Sequence, residues 1–166
     1  MRTRTRIQAI ATTLVLGVSL ITFTIRACSS IHVATDLAVV DGDTVEVTVD
    51  GVRERVRLLG IDTPERGRCG AEEATARLKD LLTPGQITVV QDPIADARDR
   101  YGRLLSYIEV DGTDVGETLV AEGYAVAWWP KTAPVPSRAQ SYQRAQQKAE
   151  KETRGSWSSC DSMGRS

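Results

Sequence analysis

A run of alternating apolar and polar residues, joined by Asp50-Gly51 to a second strand-like run, places the strongest constraint on how this chain can fold. In the first run Val45, Val47 and Val49 alternate with polar residues, and the second run extends from Arg53 to Ile61. Alternation with a period of two indicates strands that bury one face, and Asp-Gly between such strands is a signal for a tight turn. We therefore predict an antiparallel hairpin in this part of the chain.

The remaining sequence predicts three more strands and three helices. The strands are expected from residue 31 to the Asp41-Gly42-Asp43 turn and over residues 87–91 and 104–110. The helices are expected from Ala71 to Thr83-Pro84-Gly85, from a cap at Thr113 or Asp114 to Gly123, and from a capping box at Ser137 to Gly155. This α+β pattern has the five-stranded OB-fold β-barrel as its natural closure, although the pattern alone leaves other α+β folds open.

The first 29 residues have the composition of an export signal. Three arginines lie among the first six residues, a mostly apolar run extends from Ile7 to Ile25, and the small residues Ala27-Cys28-Ser29 follow. The run of about 19 residues is also long enough to be an uncleaved membrane anchor. Lipidation of Cys28 is a third alternative, although Arg26 fits a lipoprotein signal poorly. We expect a secreted, extracellular protein, or one anchored to the outer face of the cell membrane.

The expected organisation is a signal peptide or membrane anchor over residues 1–29, one domain over residues 30–160 and a short tail over residues 161–166. Without the first 28 residues, which contain four arginines and no acidic residue, the chain has 17 basic and 22 acidic residues, a net charge of about −5. This balance argues against a protein that coats nucleic acid through a broad basic surface. It still permits an enzyme that binds one or two phosphates locally.

One histidine and three cysteines narrow the chemistry further. A serine or cysteine hydrolase of the usual kind would have to use His32, which lies outside every motif, and a zinc enzyme usually needs more histidines. If Cys28 is removed with the leader, an even pair of cysteines remains in an oxidising compartment. We therefore expect a disulfide between Cys69 and Cys160.

Carboxylates and arginines lie beside the ends of the predicted strands. Asp43 and Asp62 can be brought together by the hairpin, and carboxylate oxygens of this kind can hold a hard cation. Glu65 supplies a further carboxylate, and Arg57 and Arg103 supply guanidinium groups that can each bind two phosphate oxygens. Together these groups can cut a phosphodiester, although the pattern alone is also compatible with turn-forming aspartates and surface arginines.

Three segments resemble the staphylococcal nuclease (thermonuclease) family in order and spacing: Asp41-Gly42-Asp43-Thr44, the run from Arg57 to Glu65, and Asp99-Arg100-Tyr101-Gly102-Arg103. The resemblance extends from about Leu37 to Trp157. It implies a five-stranded OB-fold β-barrel with three α-helices. It also implies an exported, Ca²⁺-dependent endonuclease that hydrolyses DNA and RNA by in-line attack of water and leaves 3′-phosphate ends.

The resemblance also implies a role for each matching residue. Asp43, Asp62 and the main-chain carbonyl of Thr63 would bind Ca²⁺, whereas Asp41 would brace the turn. Glu65 would orient and deprotonate the attacking water as a general base. Arg57 and Arg103 would stabilise the charge on the scissile phosphate, which is larger in the transition state. The residues implied in substrate binding are Arg100, Tyr101 and, by stacking on a base, Trp129.

The sequence departs from the family pattern in three places. The loop from Arg66 to Gly70 is shorter and contains a cysteine, Trp128-Trp129 replaces two tyrosines, and Gly116 replaces an asparagine. Two other functions stay open: a non-catalytic OB-fold module that binds nucleic acid, and a surface protein that binds protein or sugar. Because the chain keeps every acid and both arginines, we favour the enzyme. No protein partner is implied, and we expect a monomer.

Overall fold

A computed structural model describes residues 30–83, 85–161 and 163. The expected signal or anchor, residues 1–29, lies outside the described residues. The strands are β1 (Ile31–Asp41), β2 (Thr44–Val49), β3 (Val52–Leu58), β4 (Ile61–Asp62), β5 (Ile87–Gln91), β6 (Leu104–Val110), β7 (Thr113–Asp114) and β8 (Val126–Ala127). The helices are α1 (Ala71–Leu82), α2 (Val115–Ala121) and α3 (Ala139–Lys151), followed by a 3₁₀ helix (Gly155–Ser158).

The predicted hairpin is formed by β2 and β3, which pair antiparallel with Val49 opposite Val52. Val45, Val47 and Val56 are fully buried, as the alternation requires. β1 pairs with β2 on one side and with β5 on the other, and β5 pairs with β6. A parallel pairing of β3 with β6 then closes five strands into a barrel. The expected α+β fold, a five-stranded OB-fold barrel with three α-helices, is confirmed.

The second strand of the hairpin is shorter than predicted. The expected strand over residues 53–61 ends at Leu58, and Ile61–Asp62 forms the separate strand β4, which pairs with β8. Gly60 causes the break because its backbone is left-handed, with φ of 82°, a conformation that glycine adopts without strain. The break turns Asp62 and Thr63 back toward the β1–β2 turn.

The third helix also differs from its prediction. It begins at Ala139 rather than at a capping box on Ser137, and no side chain caps its N-terminus. The Ser137 N–H instead donates to Asp92 Oδ2 at 2.7 Å, so this end of the helix is held by a distant carboxylate. The helix buries Tyr142 completely, and its hydroxyl donates to the carboxylate of Asp114, the N-cap residue of α2.

A disulfide joins Cys69 to Cys160, with a Cα–Cα distance of 5.7 Å. It links the loop before α1 to the segment after the 3₁₀ helix, and is the pair expected from the sequence. Gly70, the next residue, lies so close to Ser156 that a Cβ atom there would be 2.6 Å from the Ser156 hydroxyl. In the described part of the chain, no helix has the length and apolar character needed to cross a membrane.

Candidate active site

The β1–β2 turn and the segment after Gly60 bring two carboxylates together in the protein interior. Asp43 and Asp62 are 7% and 3% exposed, respectively. The turn is braced by Asp41, whose Oδ1 accepts a hydrogen bond from the Asp43 N–H, as the family resemblance implies. Gly42 is needed for this approach because a Cβ atom there would lie 2.7 Å from the Thr63 hydroxyl oxygen. The local turn and the break in β3 therefore build the acidic part of the site.

Arg57, on β3, connects the two carboxylates. Its Nη2 atom lies 3.0 Å from Asp43 Oδ2 and 2.8 Å from Asp62 Oδ1. Its Nη1 atom donates to the carbonyl oxygens of Leu58 and Ile61, each at 2.8 Å. The guanidinium is thus oriented by four acceptors, and its side chain is only 12% exposed. Such a group is rigid before any ligand arrives, which is the condition for electrostatic stabilisation at low reorganisation cost.

Burial, neighbouring charges and hydrogen bonds together set the ionisation of Asp43. Burial raises the pKa of Asp43, Arg57 opposes this effect, and the nearby carboxylate of Asp41 raises the pKa again. Hydrogen bonds from the Thr63 N–H and from the Thr63 and Thr44 hydroxyls favour the ionised form of Asp43. A cation at this place would favour the ionised form of Asp43.

A cavity of about 580 Å³ adjoins these groups. It is lined by both arginines that we predicted to bind the phosphate and by all three residues that we predicted to bind the substrate. Its other walls come from the β3–β4 turn, the loop before β6 and the proline-rich loop before α3. The predicted site residues that line it are Arg57, Arg103, Arg100, Tyr101 and Trp129.

The loop before β6 holds Arg103 in place through Asp99. The Asp99 carboxylate accepts hydrogen bonds from the Arg103 N–H, the Tyr101 N–H and Arg103 Nε, at 2.9, 2.9 and 2.7 Å. Burial alone would raise the pKa of Asp99, but these hydrogen bonds outweigh it and lower that pKa. Arg100 lies over the Tyr101 ring, 4.7 Å from its centroid, and donates to the Tyr101 hydroxyl.

The sequence analysis assigned no function to Asp99 or to Trp128, yet Asp99 orients Arg103 and Trp128 lines the cavity. The spacing of four residues between Asp99 and Arg103 could have predicted their ion pair. However, an aspartate at this position is also common in Asp-x-x-Gly turns, where it only stabilises the turn. Trp128 precedes the expected stacking residue, and the structure places both tryptophans on the cavity wall.

Glu65 occupies a different position from the other predicted residues. It is exposed in the loop after Pro64, and it is not among the described residues that line the cavity. Its carbonyl oxygen accepts the Arg68 N–H at 2.9 Å. Among the described residues, no group of three His, Cys, Asp or Glu side chains is placed to hold a metal ion. Asp43 and Asp62 thus form a pair, and the Glu65 carboxylate does not complete a triad.

The residues present nevertheless suit a hard cation. Asp43 and Asp62 both contact one nitrogen of Arg57, so their carboxylate oxygens lie close together, and Thr63 follows Asp62 directly. Two carboxylates and a carbonyl form an all-oxygen donor set, which Ca²⁺ accepts in a flexible arrangement that water can complete. The Asp41 carboxylate, which raises the pKa of Asp43, would also favour a cation here.

The barrel, the paired carboxylates and the arginine-lined cavity define an OB-fold domain of the nuclease type. The family model described as "Staphylococcal nuclease homologue" matches residues 55–159. The chain therefore belongs to the staphylococcal nuclease family.

Similar proteins include two from Bacillus subtilis (strain 168). The SPbeta prophage-derived endonuclease YokF is 38% identical over 128 residues, which are 72% of this chain and 42% of that protein. Endonuclease YncB is 42% identical over 101 residues, covering 57% of this chain and 47% of that protein. The chain thus spans less than half the length of these two relatives. The thermonuclease of Staphylococcus hyicus is 31% identical over 128 residues, covering 74% of this chain and 73% of that protein.

Proposed function

We propose that this protein is a Ca²⁺-dependent nuclease that hydrolyses phosphodiester bonds of DNA and RNA. The observation that carries the proposal is Arg57, which is held by two buried carboxylates at the edge of a cavity that also contains Arg103 and Trp129. A phosphate bound between two fixed guanidinium groups, with aromatic rings for the attached base, fits one nucleotide of a single strand. The endonuclease and thermonuclease names of the relatives support the same reaction.

Asp43, Asp62 and the Thr63 carbonyl would hold the ion. When bound, Ca²⁺ would supply positive charge near the scissile phosphate. Arg57 and Arg103 would bind the non-bridging phosphate oxygens and stabilise the charge that grows on them during in-line attack. Glu65 would accept a proton from the attacking water, and the strand that leaves would carry the 5′ oxygen, so that 3′-phosphate ends remain.

Glu65 has to approach the phosphate for this role. Glu65 is exposed on the loop between Pro64 and Gly70 and lies two residues after Thr63. In apo structures catalytic contacts are often long and tighten only when substrate binds. We therefore keep Glu65 as the proposed general base.

A digestion assay tests the proposal. Residues 30–166, produced without the leader, should degrade single-stranded DNA and RNA with Ca²⁺ and stop when a calcium chelator is added. Mg²⁺ should support less cleavage because its strict octahedral demand suits a carboxylate–carbonyl site poorly. Binding of nucleic acid without cleavage, with or without Ca²⁺, would instead favour the non-catalytic module. Unchanged cleavage in chelator would show that the metal assignment is wrong.

We also propose that the protein is exported. The basic and apolar leader supports this, and so does the disulfide, which persists in oxidising compartments. Fractionation of cells that express the full chain should find the protein in the medium or on the outer face of the cell membrane. Mass spectrometry of the N-terminus would distinguish cleavage, retention and lipidation at Cys28. Protein confined to the cell interior would contradict export.

A further inference from the structure

A second cavity, of about 570 Å³, lies beside the first. It is lined by Arg55, Tyr101, Gly102 and Arg103, and it shares Tyr101 and Arg103 with the first cavity. Among the described residues that line it there is no carboxylate. The second cavity is therefore an extension of the site that is lined by two arginines and borders the first cavity at Tyr101 and Arg103.

The register of the barrel closure explains why Arg55 belongs to this cavity. β3 and β6 run parallel with Val56 opposite Leu104, so the residues one position earlier, Arg55 and Arg103, approach each other. Arg55 and Arg57 are two residues apart on one face of β3, a distance of about 6.6 Å along the strand. This distance is comparable to the separation of neighbouring phosphates in an extended strand of nucleic acid.

Arg55 retains hydrogen-bonding capacity for a ligand. Its Nε and Nη2 atoms donate to Oε1 of Glu46 at 3.1 and 2.6 Å, and its side chain is 55% exposed. Within the described part of the chain, Nη1 has no such acceptor. Glu46 also binds Arg53, so one carboxylate balances two arginines and a net positive charge remains.

We propose that the second cavity binds the nucleotide on the other side of the phosphate held by Arg103, and that Arg55 contacts the phosphate of that nucleotide. The inference rests on the proposed nuclease function and deepens it. A polymeric substrate must continue beyond the first cavity. Because Arg103 lines both cavities, the strand would pass from the first cavity to the second at Arg103. The second cavity would favour oligonucleotides over substrates with one nucleotide.

Arg53 provides a matched control. It lies on the same face of the same strand, is 52% exposed, and also pairs with Glu46, but it is not among the residues that line either cavity. Its Nη1 atom donates to the carbonyl oxygen of Asp36 instead. Arg53→Gln and Arg55→Gln therefore remove the same charge, and each leaves Glu46 with one arginine.

The test compares both variants on two substrates: a single-stranded oligothymidylate of several nucleotides, and a nitrophenyl phosphodiester of thymidine that carries one nucleoside. Relative to Arg53→Gln, Arg55→Gln should raise KM for the oligothymidylate roughly two- to fivefold, the range expected for an exposed charge contact. The slope of log KM against log salt should fall by about 0.7, one phosphate contact on a single strand. On the nitrophenyl ester the two variants should agree.

Other outcomes would overturn the inference in recognisable ways. Equal KM values of the two variants for the oligothymidylate would exclude the second cavity while the nuclease function stands. An equal loss on both substrates in Arg55→Gln alone would place Arg55 in the first cavity. If the parent protein cleaves neither substrate, the proposed function fails, and anisotropy of labelled oligothymidylate then tests the cavity directly. Equal affinities of the two variants in that measurement would exclude it.

Discussion

At the level of single residues, Arg57 has two roles. It balances two buried carboxylates, and it presents its guanidinium to the cavity. A lysine ammonium cannot reach Asp43, Asp62 and two carbonyl oxygens in the same plane. Arg103 pairs with one carboxylate, Asp99, and its own side chain is 29% exposed, so replacement of Arg103 should affect the fold less.

Arg57→Lys and Arg103→Lys should each lower turnover about 10²–10⁴-fold, because an ammonium cannot reproduce the planar, oriented N–H donors that contact the phosphate in the transition state. Arg57→Lys should also lower the melting temperature, whereas Arg103→Lys should change it little. Steady-state kinetics and thermal unfolding followed by circular dichroism measure both effects. Arg53→Lys is the control on the same strand, and it should cleave at nearly the parent rate. Parent-like turnover in both site variants would contradict the assigned roles.

Glu65→Gln should reduce turnover about 10²–10⁴-fold because an amide cannot take a proton from water. Since Glu65 is exposed in its loop, the free energy of unfolding should stay near that of the parent. Glu72→Gln, at an exposed site in the first turn of α1, is the matched control. Chemical denaturation and single-turnover cleavage give the two readouts. If Glu65→Gln cleaves as fast as Glu72→Gln, another group activates the water.

At the level of elements, Asp92 connects segments that the local sequence does not relate. Its carboxylate accepts hydrogen bonds from the Ile94 and Ala95 N–H groups after β5, from the Ser137 N–H before α3, and from the Tyr107 hydroxyl on β6. Ala95 and Pro136 line the first cavity, so Asp92 holds two of its walls together. This contact also explains why α3 begins after Ser137 without a capping box.

Asp92 should make stability depend on acid pH. Burial alone would raise its pKa, but hydrogen bonds from Ser137, Tyr107 and the loop N–H groups outweigh it and lower the pKa from 3.8 to about 2. Because the folded state favours the carboxylate, this stabilisation is complete above about pH 4 and is lost as pH falls toward 2. The difference in unfolding free energy between parent and Asp92→Asn should therefore shrink over that interval.

Urea denaturation at a series of pH values measures this difference. Asp36→Asn is the control because Asp36 is an exposed carboxylate on β1. Its difference from the parent should stay nearly constant over the same interval. An Asp92→Asn difference that does not change between pH 5 and pH 2 would show that the Asp92 carboxylate is not held as described.

At the level of the whole molecule, the barrel closes through pairing between β3 and β6, and the disulfide closes a second, larger loop. Cys69 and Cys160 are 91 residues apart in sequence. The link attaches the loop that follows Glu65 to the C-terminal segment. It thus constrains nearly the whole span between the proposed base and the end of the domain.

Replacing both cysteines by alanine should lower the free energy of unfolding by about 2–4 kcal/mol. The physical reason is that the unfolded chain regains the conformational freedom that the closed loop denies it. Thermal and denaturant unfolding of the oxidised parent, the reduced parent and the double variant measure the effect. The reduced parent and the double variant should agree. Equal stability of all three forms would show that the link does not constrain the unfolded state.

The sequence by itself predicted the five strands of the barrel, their turns and the residue types of the candidate site. Alternation of valines predicted the β2–β3 hairpin, glycine and aspartate marked its turns, and the three motifs predicted the family. These signals are local, because a pleated strand repeats every two residues and a tight turn needs only a few. The sequence therefore indicated which residue types were present, but only a resemblance could relate Arg57 to Arg103.

Only the tertiary structure decided how these pieces meet. The parallel pairing of β3 with β6 joins residues that are nearly fifty positions apart, and it sets Arg55 and Arg57 beside Arg103. Gly60 breaks β3 so that Asp62 turns back to Arg57, and Asp92 replaces the expected cap of α3. Each of these contacts depends on burial and hydrogen bonding between distant segments. A local sequence pattern does not predict such contacts, because they become favourable only after long loops have closed at a cost in entropy.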